Sequence, residues 1–319
     1  MKTPTRAIAT AIAFATLGVG SVLAADFPSK PIDYIIPFNA GGESDISARF
    51  QQSVWEKHAG KPVVIQYMAG AGGAQAWSKL NGMESDGHTI MGINLPHTVL
   101  QPMIKDVGYK TDDLTPVHYF HYTPNAIFVP KDSKFKTLKD LVEFAKANPG
   151  VVTFAGSGSN SANHLAAAQF NELAGVKTTY IPFSGTGPAI TALVGSQTLA
   201  GFNYAPSGIK QGDAIRMLAV ASEERMPAFP DVPTFKELGY DLVGGAYRGV
   251  SVPKGASDEI RKKVSDLVAA INADPEFREK MEAGGFVLTD VTYDKVGAFV
   301  EGKKAEYAKA AELLGLKKK

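Results

Sequence analysis

The sequence contains no cysteine. That absence excludes disulfides, thiol nucleophiles, iron–sulfur clusters, cysteine-ligated zinc and a lipid-modified N-terminal cysteine. An excess of one charge is missing too: 33 basic residues face 32 acidic ones, a net +1. No whole-chain electrostatic case for nucleic acid remains. Beyond the first 25 residues no long apolar run occurs, so no further membrane-spanning segment is expected. Signatures of catalysis are also absent: no G-x-S-x-G elbow, no H-E-x-x-H, no Walker loop and no G-x-G-x-x-G. His118-x-x-His121 sits in a strand-like stretch, where residues three apart point to opposite faces, so a metal pair is not expected. No cofactor is implied.

What is present points to a globular chain. With 319 residues and 45% hydrophobic content, two domains with sizeable cores are the default. Thirty-two glycines and 19 prolines mark many tight loops. At the start, Lys2 and Arg6 precede an uncharged stretch from Ala7 to Leu23 that closes on the small residues Ala24 and Ala25. This reads as a secretory signal peptide over 1–25, cut near Ala24 or Ala25. The mature chain would lose two basic groups, reach −1, and be exported to a periplasm.

Strand-like and helix-like segments alternate, as in an α/β protein with mostly parallel strands. Strands are expected at Ile32–Pro37, Val63–Tyr67, His88–Ile93, Val117–His121, Ala126–Val129, Val152–Ala155, Thr178–Pro182, Leu199–Asn203 and Arg216–Ala221. Helices are expected at Ser44–His58, from a Thr137–Asp140 capping box to Asn148, at Ser161–Ala174, near Pro188–Gly195, and from Asp258 onward, with a last one over Tyr293–Leu314.

Two loops echo each other. Phe38-Asn39-Ala40-Gly41-Gly42-Glu43-Ser44-Asp45 joins a strand to a helix, and so does Gly156-Ser157-Gly158-Ser159-Asn160-Ser161-Ala162-Asn163-His164. Each opens a helix whose first N–H groups lack intrahelical acceptors, so each can seat an anion. Two such seats facing one cleft would clamp one anionic ligand. Ordinary strand–helix turns are the plainer alternative.

These motifs carry a resemblance. Phe27-Pro28-Ser29-Lys30-Pro31-Ile32, Pro37-Phe38, Gly41-Gly42-x-Ser44-Asp45 and Ala69-Gly70-Ala71-Gly72-Gly73 resemble the receptors of tripartite tricarboxylate transporters, the Bug family. So do Ser157-Gly158-Ser159 with His164-Leu165-Ala166, Pro182-Phe183-x-Gly185-x-Gly187-Pro188, the run Pro230–Gly239, and Val252-Pro253-Lys254-Gly255. The resemblance implies a two-lobed periplasmic-binding-protein fold of type II-like form, with the ligand in the cleft. Two crossing strands near Pro124–Val129 and Ala246–Val252 would divide the chain into 26–125 plus 246–319 and 126–245. It also implies a non-enzymatic periplasmic receptor for a small organic carboxylate (a di- or tricarboxylate, or an aromatic carboxylate), acting as a monomer with membrane permease subunits. A ligand-sensing partner of a membrane sensor and a secreted hydrolase are the other readings.

Carried over by position, the ligand-binding residues would be Phe38, Gly41, Gly42, Ser44 and Asp45 in the first wall and Ser157, Ser159, Ser161 and His164 in the second. His97, Phe183, Asn203 and Tyr204 would complete the cleft. Asp45 reads better as a loop cap than as a contact to an anion. The sequence departs from the family's usual Pro-Gly-Gly with Asn39-Ala40-Gly41-Gly42-Glu43, and has Asn203 where an aspartate is frequent. Glu43 is expected to point outward into the first helical turn, where negative charge is favourable. Alternatively it pairs with Arg248 or selects a ligand bearing a positive or hydroxyl group.

Overall fold

A computed structural model describes residues 27–313 and 315 of the chain. The expected signal peptide and its cleavage point lie outside the described residues.

Buried aliphatic residues make β1 (Ile32–Ile36), and the Gly41-Gly42 pair releases the chain into α1 (Glu43–Ala59), which ends on left-handed Gly60. β2 (Val63–Tyr67) pairs parallel to β1. A single helical turn, α2 (Ala74–Trp77), precedes β3 (Thr89–Leu95), which lies parallel on the other side of β1, and α3 (His97–Ile104). β4 (Thr115–Pro130) follows, with 16 residues, about 50 Å of extended chain.

The second sheet is built next: α4 (Leu138–Ala147), β5 (Thr153–Gly156), α5 (Ala162–Ala174), β6 (Thr179–Pro182), α6 (Thr186–Val194), β7 (Ala200–Tyr204), α7 (Pro206–Gln211) and β8 (Ile215–Val220). The chain then returns as β9 (Gly245–Val252) and closes with α8 (Asp258–Ala273), α9 (Pro275–Ala283), β10 (Val287–Val291) and α10 (Tyr293–Leu313). The strand order is β2-β1-β3-β9-β4-β7-β5-β6, with β8 and β10 also on β4.

One strand therefore serves two sheets. Residues 115–124 of β4 pair with β9, and residues 125–130 pair with β7 and β8. The sequence suggested two strands here, separated around Pro124. They are one, because the N–H that proline lacks falls where the strand leaves one neighbour and joins the next, so no ladder bond is lost. Glycine in β9 permits this crossing: a Cβ on Gly245 would stand 2.1 Å from the Thr123 carbonyl oxygen.

Two other expectations need correction. The outer strands are parallel, but among the described residues five of the nine strand pairings are antiparallel, all involving β4 or β9. The C-terminal region is not continuously helical: Asp274-Pro275 ends α8 and caps α9, and β10 intervenes before α10. The capping box at Thr137 is present, with Asp140 accepting from the Thr137 N–H at 2.9 Å. One large apolar core, including Trp55, Trp77, Phe120 and Phe277, underlies the first sheet. Phe154, Phe170, Phe202 and Phe235 centre another under the second.

Candidate functional site

The strand-to-helix turns of both sheets meet at one small chamber. Phe38, Gly42, Glu43, Ser44, His97 and Arg248 line it from elements of the first sheet, and Ser157, Thr186 and Tyr204 from the second. Its free volume is about 10 Å³. Beside it, sharing Glu43 and Thr186, opens a groove of about 570 Å³ walled by Ala40, Gly41, Phe183 and Lys210. Glycines bring the loops together. A Cβ on Gly158, whose φ is +110°, would stand 3.1 Å from the Gly72 Cα. Lys210 Nζ donates to the Gly41 carbonyl from across the groove.

Each turn is held by its own side chains. Asp45 accepts the Gly41 N–H at 2.6 Å and the Tyr67 hydroxyl at 2.6 Å, and its other contact is Arg49 at 2.9 Å. It lies behind the loop and shows no face to the chamber, as a cap should. In the second loop, Ser161 caps α5 by accepting the His164 N–H at 3.2 Å. His164 Nδ1 accepts the Asn160 N–H at 3.1 Å, and its ring stacks on Tyr180 at 4.6 Å. Both residues are thus engaged in shaping the turn. Ser157 faces the chamber and donates to Asn163 Oδ1 at 2.5 Å, and Asn163 in turn donates to Asn125 on β4 at 2.8 Å. Ser159 is exposed. Asn203 lies buried on β7 and donates to the Ala155 carbonyl at 3.2 Å, while its neighbour Tyr204 reaches the chamber.

Glu43 departs from the outward orientation expected of it. Its carboxylate is buried, forms an ion pair with Arg248 Nη2, and accepts the Thr123 hydroxyl at 2.6 Å. A cation and a hydroxyl donor on the neighbouring central strands offset the cost of taking this charge inward. Arg248 is itself held on several sides. Its Nε donates to Ser44 Oγ at 3.2 Å, and to Asn94 at 2.9 Å once that amide is turned oxygen-first. Its guanidinium lies 4.7 Å from the centre of the Tyr204 ring. Arg248 and Thr186 were not among the sequence-derived wall residues. Arg248 lies on β9, distant in sequence from either glycine loop, and only its suggested pairing with Glu43 pointed to it.

Burial governs ionisation here. It raises the Glu43 carboxyl, against the opposing pull of Arg248 and Thr123. It pushes His97 and His121 well below the usual imidazole range, assisted by the Arg248 charge, and also lowers His118 and His164. An imidazole with a depressed pKa takes its proton first in the unfolded chain. Stability should therefore fall as pH drops below about 6.5, by up to about 1.4 kcal/mol per pH unit for each such histidine. Glu43 has the opposite sign: folded, it takes its proton first, offsetting part of the loss between its raised pKa and about 4.5. Scanning calorimetry between pH 7 and 5 should show a falling Tm, with a shallower slope for His97→Phe. Equal slopes would mean that His97 is not buried neutral.

The chain is similar to known proteins. The family described as "Tripartite tricarboxylate transporter family receptor" matches residues 47–315. Protein BugT of Bordetella pertussis is 31% identical over 301 residues, 88% of this chain and 92% of that protein. Among solved structures, the periplasmic binding protein BugD superposes with a TM-score of 0.86 at 27% identity, over 92% of this chain and all of that one. An R. palustris protein solved with adipate does so with a TM-score of 0.86 at 25% identity, with the same coverage.

Proposed function

From the premise that the chain belongs to the tripartite tricarboxylate transporter receptor family, we propose that it captures a small organic carboxylate between two lobes. It then delivers the ligand to the permease subunits of such a transporter. It works as a single copy in the periplasm, without catalysis, after cleavage near Ala24 or Ala25. The observation that supports this reading is the convergence of helix N-termini. Glu43 and Ser44 of α1, His97 of α3 and Thr186 of α6 all line one chamber. Each first turn carries unpaired N–H groups and partial positive charge, so together they favour a carboxylate without a basic patch.

We take 26–125 plus 246–319 as one lobe and 126–245 as the other; the sheet changeover within β4 supports that division. At about 10 Å³ the chamber seats no more than a water. Capture therefore requires the loops to part, flexing where β4 and β9 cross, and then to close again. Closure excludes water and strengthens charge-assisted hydrogen bonds. Gly42, Ser44 and Ser157 contact the carboxylate, with Phe38 and Tyr204 packing beside it and Phe183 at the mouth. Gly41, Asp45, Ser161, His164 and Asn203 hold the walls in shape.

A thermal-shift screen against mono-, di- and tricarboxylates tests this. A carboxylate at 100 times its Kd should add about 2.7 kcal/mol, a rise of about 5 °C for a chain of this size. A flat response to every carboxylate would overturn the receptor reading.

A further inference from the structure

The chamber holds three buried polar side chains, Arg248, His97 and Glu43, with unused hydrogen-bonding capacity among the described residues. Arg248 is 4% exposed, and its Nη1 has no hydrogen-bond partner among the described residues. His97 is fully buried between Phe38 and Trp77, and neither ring nitrogen has a partner among the described residues. Buried donors and acceptors are rarely left unmade. Glu43 takes the Thr123 hydroxyl on one oxygen and pairs by charge with Arg248 Nη2 through the other, which accepts no hydrogen bond among the described residues.

These three residues define a chemistry. Arg248 Nη1 seeks an anionic acceptor, and a planar guanidinium suits a carboxylate. A neutral imidazole presents one donor and one acceptor, which a hydroxyl satisfies and a second carboxylate does not. Glu43 already neutralises Arg248, so the pair adds no net positive charge to the chamber. A second ligand charge buried there would meet Glu43 as a like charge, and among the described residues no cation other than Arg248 lines the chamber to answer it. Resting on the receptor reading above, we propose that Arg248 and His97 are direct ligand contacts. Glu43 sets the charge selectivity, so that the preferred ligand is a monoanionic hydroxycarboxylate rather than a dicarboxylate. Glu43 is a positioning residue in this scheme: it orients Arg248 and disfavours dianions through charge.

Calorimetric titration at pH 7.5 with three matched pairs tests the proposal: 3-hydroxypropionate and malonate, 4-hydroxybutyrate and succinate, 6-hydroxyhexanoate and adipate. In each pair a hydroxyl-bearing carbon replaces one carboxylate. The wild type should bind the hydroxy acid of its best pair at least tenfold more tightly than the diacid. Glu43→Gln keeps the side-chain shape and removes the charge, and should shrink that ratio tenfold or more. Arg248→Gln should weaken both members at least tenfold. His97→Phe should weaken 4-hydroxybutyrate and bring its affinity ratio to butyrate, well above one in the wild type, down to near one. A ratio within one sample does not depend on the fraction folded, so a destabilised variant still reports. If carboxylates bind but the diacid wins in every pair, or Glu43→Gln leaves the ratio unchanged, the inference fails and the receptor reading stands. If the wild type binds none of the broader carboxylate screen, both fail.

Discussion

Glu43→Ala should destabilise the ligand-free protein by about 3–5 kcal/mol, the usual cost of leaving one buried charge without its partner. Arg248 would remain enclosed among Tyr204, Ser44 and Asn94 with its main counter-charge gone. Arg248→Met should cost a comparable amount for the mirror reason, since Glu43 would keep only the Thr123 hydroxyl. Removing both charges should cost clearly less than the two single losses added together, because no uncompensated ion is left. Urea denaturation of the four proteins in this cycle measures the coupling. Strict additivity would mean that the pair is not closed in solution. The Glu43→Ala defect should also shrink when a carboxylate is bound, since the ligand supplies the missing anion to Arg248.

Trp77→Ala should cost about 3–5 kcal/mol, equivalent to a fall in Tm of about 6–10 °C. The ring is 1% exposed, and its Nε1 donates to the Gly92 carbonyl at 2.9 Å. Its faces and edges meet Phe38, Tyr109 and His97 at centroid distances of 6.0–6.3 Å. Truncation therefore opens a cavity directly behind the chamber wall and orphans a backbone acceptor. Ligand affinity should fall together with stability, because Phe38 and His97 lose their backing. Thermal denaturation with and without a bound carboxylate separates the two effects. A Tm within 2 °C of wild type would show that the site can collapse around the missing ring.

The features legible in the sequence were those with local causes. Gly41-Gly42 and Gly60 bracket α1, and the Thr137–Asp140 box opens α4, since caps act within one turn. The small-residue loops announced helix N-termini because glycine and serine bear their meaning in place. The cap role of Asp45 was likewise readable, its partner Gly41 being four residues away. The gap expected between the strands ending at His121 and starting at Ala126 is absent, because the N–H that Pro124 lacks is harmless where β4 passes between sheets.

An alternating α/β chain and two small-residue turns that open helices were readable without the fold. Their order and motifs were enough to imply the family. Only the tertiary structure decided which side chains share the chamber. Ser44 and Arg248 are 204 positions apart, and Glu43 turns inward only because β4 and β9 bring Thr123 and Arg248 to meet it. No periodicity or cap carries that information. A buried ion pair depends on what the rest of the fold places within a few ångströms, and that is settled by long-range packing.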